Sequence, residues 1–403
     1  MHHQPSKLLL PIIVFSQFAG TSLWFAGNAI INDIQPTSSV GFANITSIVQ
    51  FGFIAGTLIF SLLTIADRFS ASRVFFLSSL IAASANLILI PLAKDISWLM
   101  TLRFITGFFL AGIYPVGMKI AAEHFPQKLG NALGFLVGAL VFGTAFPHIL
   151  RSQLQGLNWH NVLLFTSCLA FIGGLLILIF VPKKIPQSKS SFKVNTAFTV
   201  FKSTNFRAAA FGYFGHMWEL YTFWAFVPFM LTSFNQLNNS NINIPVWSFI
   251  VIATGGLGCI LGGIISQKAG SKKVAFYSLS VSGICCLLSP LIFHLSKGYF
   301  LLILLMWGLT VVSDSPQFST LVAQSAPAEN KGTALTIVTS IGFAITIASI
   351  QLLKFISVEW KQNSLLFLFI GPLFGLIFLK KYLPHLSGTD GKQNRIKTIE
   401  VLR

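Results

Sequence analysis

Long apolar runs recur from one end of the chain to the other, each followed by a short segment carrying Lys, Arg, Pro or Gly. In lipid a segment has no water to satisfy its backbone polar groups, so runs of roughly 20 apolar residues predict membrane-crossing helices. Twelve are read from the pattern: Leu8 to Ile31, Gly41 to Ile65, Val74 to Leu92, Trp98 to Ala121, Leu129 to Leu150 and Val162 to Val181, then Ala208 to Leu231, Val246 to Ile265, Val274 to Phe293, Phe300 to Val322, Thr333 to Leu353 and Leu365 to Leu379. Between the sixth and seventh the apolar pattern stops and a basic, Ser- and Pro-containing stretch intervenes. The expected organisation is an N-terminal six-helix bundle over residues 1–181, a cytoplasmic linker over 182–206, a C-terminal six-helix bundle over 207–383 and a charged cytoplasmic tail over 384–403.

Composition narrows this to an all-α membrane protein, because only 9% of the residues are charged and 54% are hydrophobic, outside the range of soluble domains. The net charge of +17 changes meaning in that setting. Basic residues gather on one set of connections, leaving Lys94, Arg151, Lys297, Lys354 and Lys361 on the other, which orients both termini toward the cytoplasm. They are scattered over loop ends and do not cover one domain, which argues against a nucleic-acid partner. Cys168, Cys259, Cys285 and Cys286 fall inside apolar runs without metal-ligand spacing and read as free thiols. The first run is too long for a cleaved signal peptide and is expected to be retained.

The two halves echo each other at an offset of about 200 residues. Asp67, Arg68 and Arg73 after the second run align with Gln267, Lys268 and Lys273 after the eighth, Gly107 with Gly308, Pro115 with Pro316, and Pro126 with Pro327. The loop Ala66-Asp67-Arg68-Phe69-Ser70-Ala71-Ser72-Arg73 resembles the signature of the major facilitator superfamily, Gly-x-Leu-x-Asp-Arg-x-Gly-Arg, with Leu63 and Ser70 in place of its glycines. The second copy, from Gly263 to Lys273, keeps both glycines but has Gln267 where the Asp belongs. The resemblance spans the whole chain and implies two six-helix bundles working by alternating access around a central cavity. It also implies a cytoplasmic conformational latch at Asp67, Arg68, Arg73, Lys268 and Lys272; the alternative is that these basic residues only enforce topology.

Candidate chemistry is confined to the ionisable groups inside the runs, which are costly in lipid and for that reason mark function. These are Arg103, His216, Glu219 and Asp314. His216 and Glu219, three apart, share a helix face. Arg103 begins Arg103-Phe-Ile-Thr-Gly107, which resembles the superfamily's Arg-x-x-x-Gly motif in the fourth span; snorkelling to the outer interface is the competing reading. Asp314 precedes Pro316 and Gln317, where the proline opens the helix. The resemblance assigns the first, fourth, seventh and tenth spans to the cavity wall, where Gln17, Trp24, Asn28, Tyr213 and Gln317 would join the charged groups.

A carboxylate taken out of water favours its protonated form, and an approaching cation favours the charged one, so binding and protonation become linked. The expected function is therefore secondary transport of a small organic solute, anionic or zwitterionic, coupled to protons, with Glu219 or Asp314 carrying the proton and Arg103 holding an anionic group or competing for the carboxylate. A drug or siderophore-type efflux antiporter is the alternative, although the superfamily's antiporter glycine pattern is missing from the fifth span. A divalent-metal transporter using His216, Glu219 and Asp314, and a non-transport sensor, stand further off. No nucleotide loop, nucleophile–base pair or cofactor motif argues for an enzyme. The expected partners are the solute, protons and lipid, the expected state a monomer, and the expected location the bacterial inner membrane.

Overall fold

The computed structural model describes residues 8–34, 41–125, 129–153, 158–182, 199–327 and 331–381. The tail and most of the linker lie outside them. All the regular structure among the described residues is helical: α1 (Leu9–Thr21), α2 (Ala26–Ile34), α3 (Phe42–Leu62), α4 (Ile65–Arg68), α5 (Ala71–Leu92), α6 (Ile96–Leu110), α7 (Tyr114–His124), α8 (Leu129–Gln153) and α9 (His160–Phe180) in the first half. The second half holds α10 (Thr204–Asn238), α11 (Ile244–Ala269), α12 (Ser271–Ile292), α13 (Lys297–Ser313), α14 (Ser315–Ser325), α15 (Lys331–Trp360), a 3-10 segment (Lys361–Phe369) and α16 (Ile370–Lys381).

Ten helical stretches among these residues are long and apolar enough to cross a membrane, which makes the chain an integral, multi-pass membrane protein. The difference from the expected twelve has two sources. Gly332–Lys380 forms one continuous 49-residue stretch, broken only where Lys361 adopts φ 47° and the 3-10 segment begins. α10 is 35 residues long but is not among the ten. Side chains such as Leu257, Leu261, Ile264 and Ile265 on α11 are exposed, as lipid-facing positions should be.

Three of the stretches are each two helices. Leu9–Ile31 breaks between α1 and α2, Ile96–His124 between α6 and α7, and Lys297–Ser325 between α13 and α14. The last two breaks are equivalent by repeat: Pro115 and Pro316 each sit in the first turn of the helix that follows, where a missing N–H costs nothing.

Close packing repeats with them. A side chain on Gly107 would strike the carbonyl of Val49, and one on Gly308 the carbonyl of Val251; likewise Gly56 abuts the carbonyl of Phe108, and Gly258 that of Leu309. Equivalent helix pairs thus approach through equivalent small residues, α3 on α6 and α11 on α13. The halves meet along α3 with α15, where Thr57 lies 3.3 Å from Ser340 and Ser61 donates to Thr336, and along α8 with α11, where Gly138 faces the carbonyl of Gly256.

Candidate functional site

The break between α1 and α2 leaves the carbonyls of Leu23 and Trp24 outside any helical ladder. Arg103 of α6 reaches both, at 2.9 and 2.7 Å, and donates a third bond of 3.2 Å to Asn86 of α5. Asn86 in turn donates to the Leu163 carbonyl, Thr166 and Ser167 of α9. Arg103 is 0% exposed, so it does not snorkel; with Asn86 it ties α5, α6 and α9 to the turn between α1 and α2. Its Nε has no hydrogen-bond partner among the described residues. A guanidinium suits this role because its planar fork reaches several acceptors at once. Arg103 makes no hydrogen bond or ion pair with either acid among the described residues.

Glu219 lies in the second half, 1% exposed, and accepts from Ser282 at 2.5 Å, Trp307 at 2.6 Å and Cys286 at 3.2 Å. The acid is thus the hub joining α10, α12 and α13. Nothing in the local sequence around Glu219 announces these donors, which lie 63 to 88 residues further on.

Asp314 occupies the α13–α14 break, and its carbonyl accepts from the Phe318 N–H at 2.9 Å. Its Oδ1 is 2.8 Å from Nδ1 of His216, with both side chains buried. The two groups form a buried contact at ion-pair distance, and His216 Nε2 has no hydrogen-bond partner among the described residues. An ionisable pair buried together at a helix break is costly at membrane depth and points to a functional group. The metal reading gains nothing here, since no group of three or more His, Cys, Asp or Glu among the described residues could hold an ion.

The centre of the molecule, between the halves, is filled by aromatic rings. Trp24 stacks on Tyr221 of α10 at 5.6 Å and on Phe343 of α15 at 5.8 Å, with Phe53 of α3 tilted against it at 4.9 Å. Trp224 packs 5.0 Å from Tyr221 and 6.4 Å from Phe25, which itself faces His148. The indole N–H groups of Trp24 and Trp224 are buried without acceptors. Of the other wall candidates, Gln17 is fully buried with neither amide atom partnered, beside Gly117. Asn28 donates to Thr46 at 2.6 Å, Tyr213 packs against Gly342 and the His216 ring, and Gln317 is buried in α14.

At the latch loop, Lys119 of α7 donates to the Ala66 carbonyl, next to Asp67, whose own side chain lies outside the described residues. Arg68, Arg73 and Lys268 are exposed and Lys272 is half-buried. A cross-half contact at this level comes from Gln267, which donates to Asn131 on α8. Gln267 stands at the repeat position of Asp67, and that alignment was the signal available to find it.

A duplicated helical bundle, buried in lipid, with ionisable groups at its helix breaks and a ring-lined seam between its halves, defines a class of membrane transport folds. The profile of the Major Facilitator Superfamily matches residues 9–350, and the chain belongs to that family. Membership sets it among transporter-family proteins and apart from enzymes. The niacin transporter NiaP of Acinetobacter baylyi is 30% identical over 206 residues, 44% of this chain and 42% of that one. A multi-drug resistance efflux pump PmrA homolog of Lactococcus lactis is 25% identical over 60% of each chain, and the sialic acid transporter NanX of Escherichia coli is 27% identical over 54% of each. The matches thus span about half the length of these relatives. The crystal structure of the human organic anion transporter MFSD10 superposes with a TM-score of 0.75 at 12% identity, covering 94% of this chain and all of that one, which speaks for the fold alone.

Proposed function

We propose that this chain is a secondary active transporter that moves a small organic anion or zwitterion by alternating access, coupled to protons through the Asp314–His216 pair. The observation that carries the reading is that pair: a carboxylate and an imidazole buried together 2.8 Å apart at a helix break. A proton shared there changes the local charge in a water-poor setting, where such a change is worth most. Asp314 lies on the short turn joining α13 to α14, so its charge state acts directly on a hinge of the second half.

In this reading Glu219, held by three donors, fixes the second half, and Arg103 is a positioning residue that holds the turn bearing Trp24. The chain crosses the bacterial plasma membrane twelve times, with α10 and the α15–α16 stretch supplying the crossings beyond the ten apolar candidates, and both termini face the cytoplasm. The bacterial relatives and the distribution of Lys and Arg support that placement. An organic anion is favoured because niacin and sialic acid are the solutes named for two relatives. Efflux is the second reading, favoured by the efflux-pump relative, which shares 60% of each chain.

The test is solute accumulation by purified protein in liposomes under an imposed pH gradient. Accumulation that collapses with a protonophore supports the proposal. Gradient-driven accumulation that survives Asp314→Asn together with Glu219→Gln would sink the coupling mechanism.

A further inference from the structure

The stack around Trp24 crosses the boundary along which the halves must move. Trp24 is bound to the first half, its carbonyl held by Arg103 at 2.7 Å, yet both of its near-parallel ring neighbours belong to the second half: Tyr221, inclined 25°, and Phe343, inclined 23°. Any opening between the halves parts these faces and exposes flat aromatic surface on both sides. A planar guest restores the lost stacking; a saturated ring of the same size does not.

The polar groups beside the stack set the guest's other end. Trp24 Nε1 and Trp224 Nε1 are buried donors with no acceptor, and an indole N–H can only donate. Gln50, one helical turn before Phe53 on the same face of α3, is also fully buried with both amide atoms unpartnered. No carboxylate is free to receive a cationic guest there, since Glu219 is engaged by its three donors and Asp314 faces His216. A guest with acceptor oxygens meets both the indole donors and the Gln50 amide nitrogen, whereas an amine finds only the Gln50 carbonyl oxygen.

We infer that the seam between the halves binds a planar aromatic acid, its ring inserted between Trp24 and the Tyr221–Phe343 face and its carboxylate accepting from the Trp224 indole N–H, beside Tyr221. The inference deepens the proposed transport function and rests on it for the opening of the seam.

The experiment is calorimetric titration of the purified full chain with benzoate, 2-naphthoate, cyclohexanecarboxylate and benzylamine. The aromatic acids bind about tenfold more tightly than cyclohexanecarboxylate, the loss of one good stacking contact, and benzylamine gives no heat. Trp24→Leu erases the preference for an aromatic ring; Trp224→Phe keeps it but weakens benzoate, whose carboxylate loses its donor. Should Trp24→Leu fail to fold, Tyr221→Leu tests the opposite face of the slot. Equal affinity for benzoate and cyclohexanecarboxylate, or a ring preference untouched by these variants, overturns the inference. Exchange of labelled benzoate across liposomes separates the two readings. Binding with the expected pattern but no exchange supports the slot and defeats transport. Exchange of a different solute, with no aromatic acid bound, supports transport and defeats the slot.

Discussion

His216 and Asp314 face each other at 2.8 Å, one on α10 and the other on the turn between α13 and α14, with neither side chain open to solvent. One helical turn away on α10, Glu219 is engaged by three donors from two other helices. Two acids buried in the same half therefore stand in different conditions, one paired with an imidazole at a hinge and one held by three donors within a packed core.

The two acids should separate in function. Asp314→Asn is expected to abolish accumulation driven by a pH gradient while leaving gradient-free exchange of solute across the liposome measurable. Glu219→Gln is expected to keep coupling but to lower stability by about 1–3 kcal/mol, because the amide nitrogen replaces one carboxylate oxygen and confronts either the Ser282 donor or the Trp307 and Cys286 donors. Thermal unfolding alongside gradient-driven uptake checks both, and the reverse pattern would exchange the roles.

Arg103→Lys keeps the charge but loses the fork that reaches Leu23, Trp24 and Asn86. We expect a destabilisation of about 1–3 kcal/mol from carbonyls left without donors. Because the same turn carries Trp24, the emission of the buried indoles should shift as well. A variant with wild-type unfolding temperature and spectrum would remove Arg103 from this positioning role.

The repeated glycine contacts predict matched effects in the two halves. Gly107→Ala and Gly308→Ala each force a methyl group against a backbone carbonyl, Val49 or Val251, and should cost about 1–3 kcal/mol through strain. Gly298→Ala, with nothing near its added methyl group, is expected to be neutral. Unfolding temperatures of the three variants check this, and a loss confined to one half would argue against equivalent packing.

Alternating access requires α3 and α15 to part. Thr57 and Ser340 hydroxyls lie 3.3 Å apart, and Ser61 and Thr336 lie 3.2 Å apart, close enough for engineered disulfides. Oxidised Thr57→Cys/Ser340→Cys protein should fall to background transport and recover on reduction, with oxidised wild-type protein as control. Full transport by the crosslinked protein would mean that this contact does not open.

The duplication was legible from Gly107 with Gly308 and Pro115 with Pro316, because packing small residues and opening helices are local properties that leave local marks. The buried charges were equally visible, since lipid makes each one anomalous against its apolar neighbours. The break at Lys361 falls in the connection read between the runs Thr333 to Leu353 and Leu365 to Leu379, but the left-handed backbone that makes it is a conformational detail that composition does not show.

Sequence alone determined that this is a duplicated helical membrane protein of the facilitator type, with Arg103, His216, Glu219 and Asp314 as its costly interior groups. Only the tertiary structure decided their partners. Arg103 turned to two carbonyls 79 and 80 positions earlier, Glu219 to Ser282, Cys286 and Trp307, and Trp24 to two rings of the opposite half. Periodicity specifies which face of a helix a residue occupies, whereas the group it meets depends on the register and crossing of helices distant in the chain. That information belongs to no single helix and exists only when all of them are packed together.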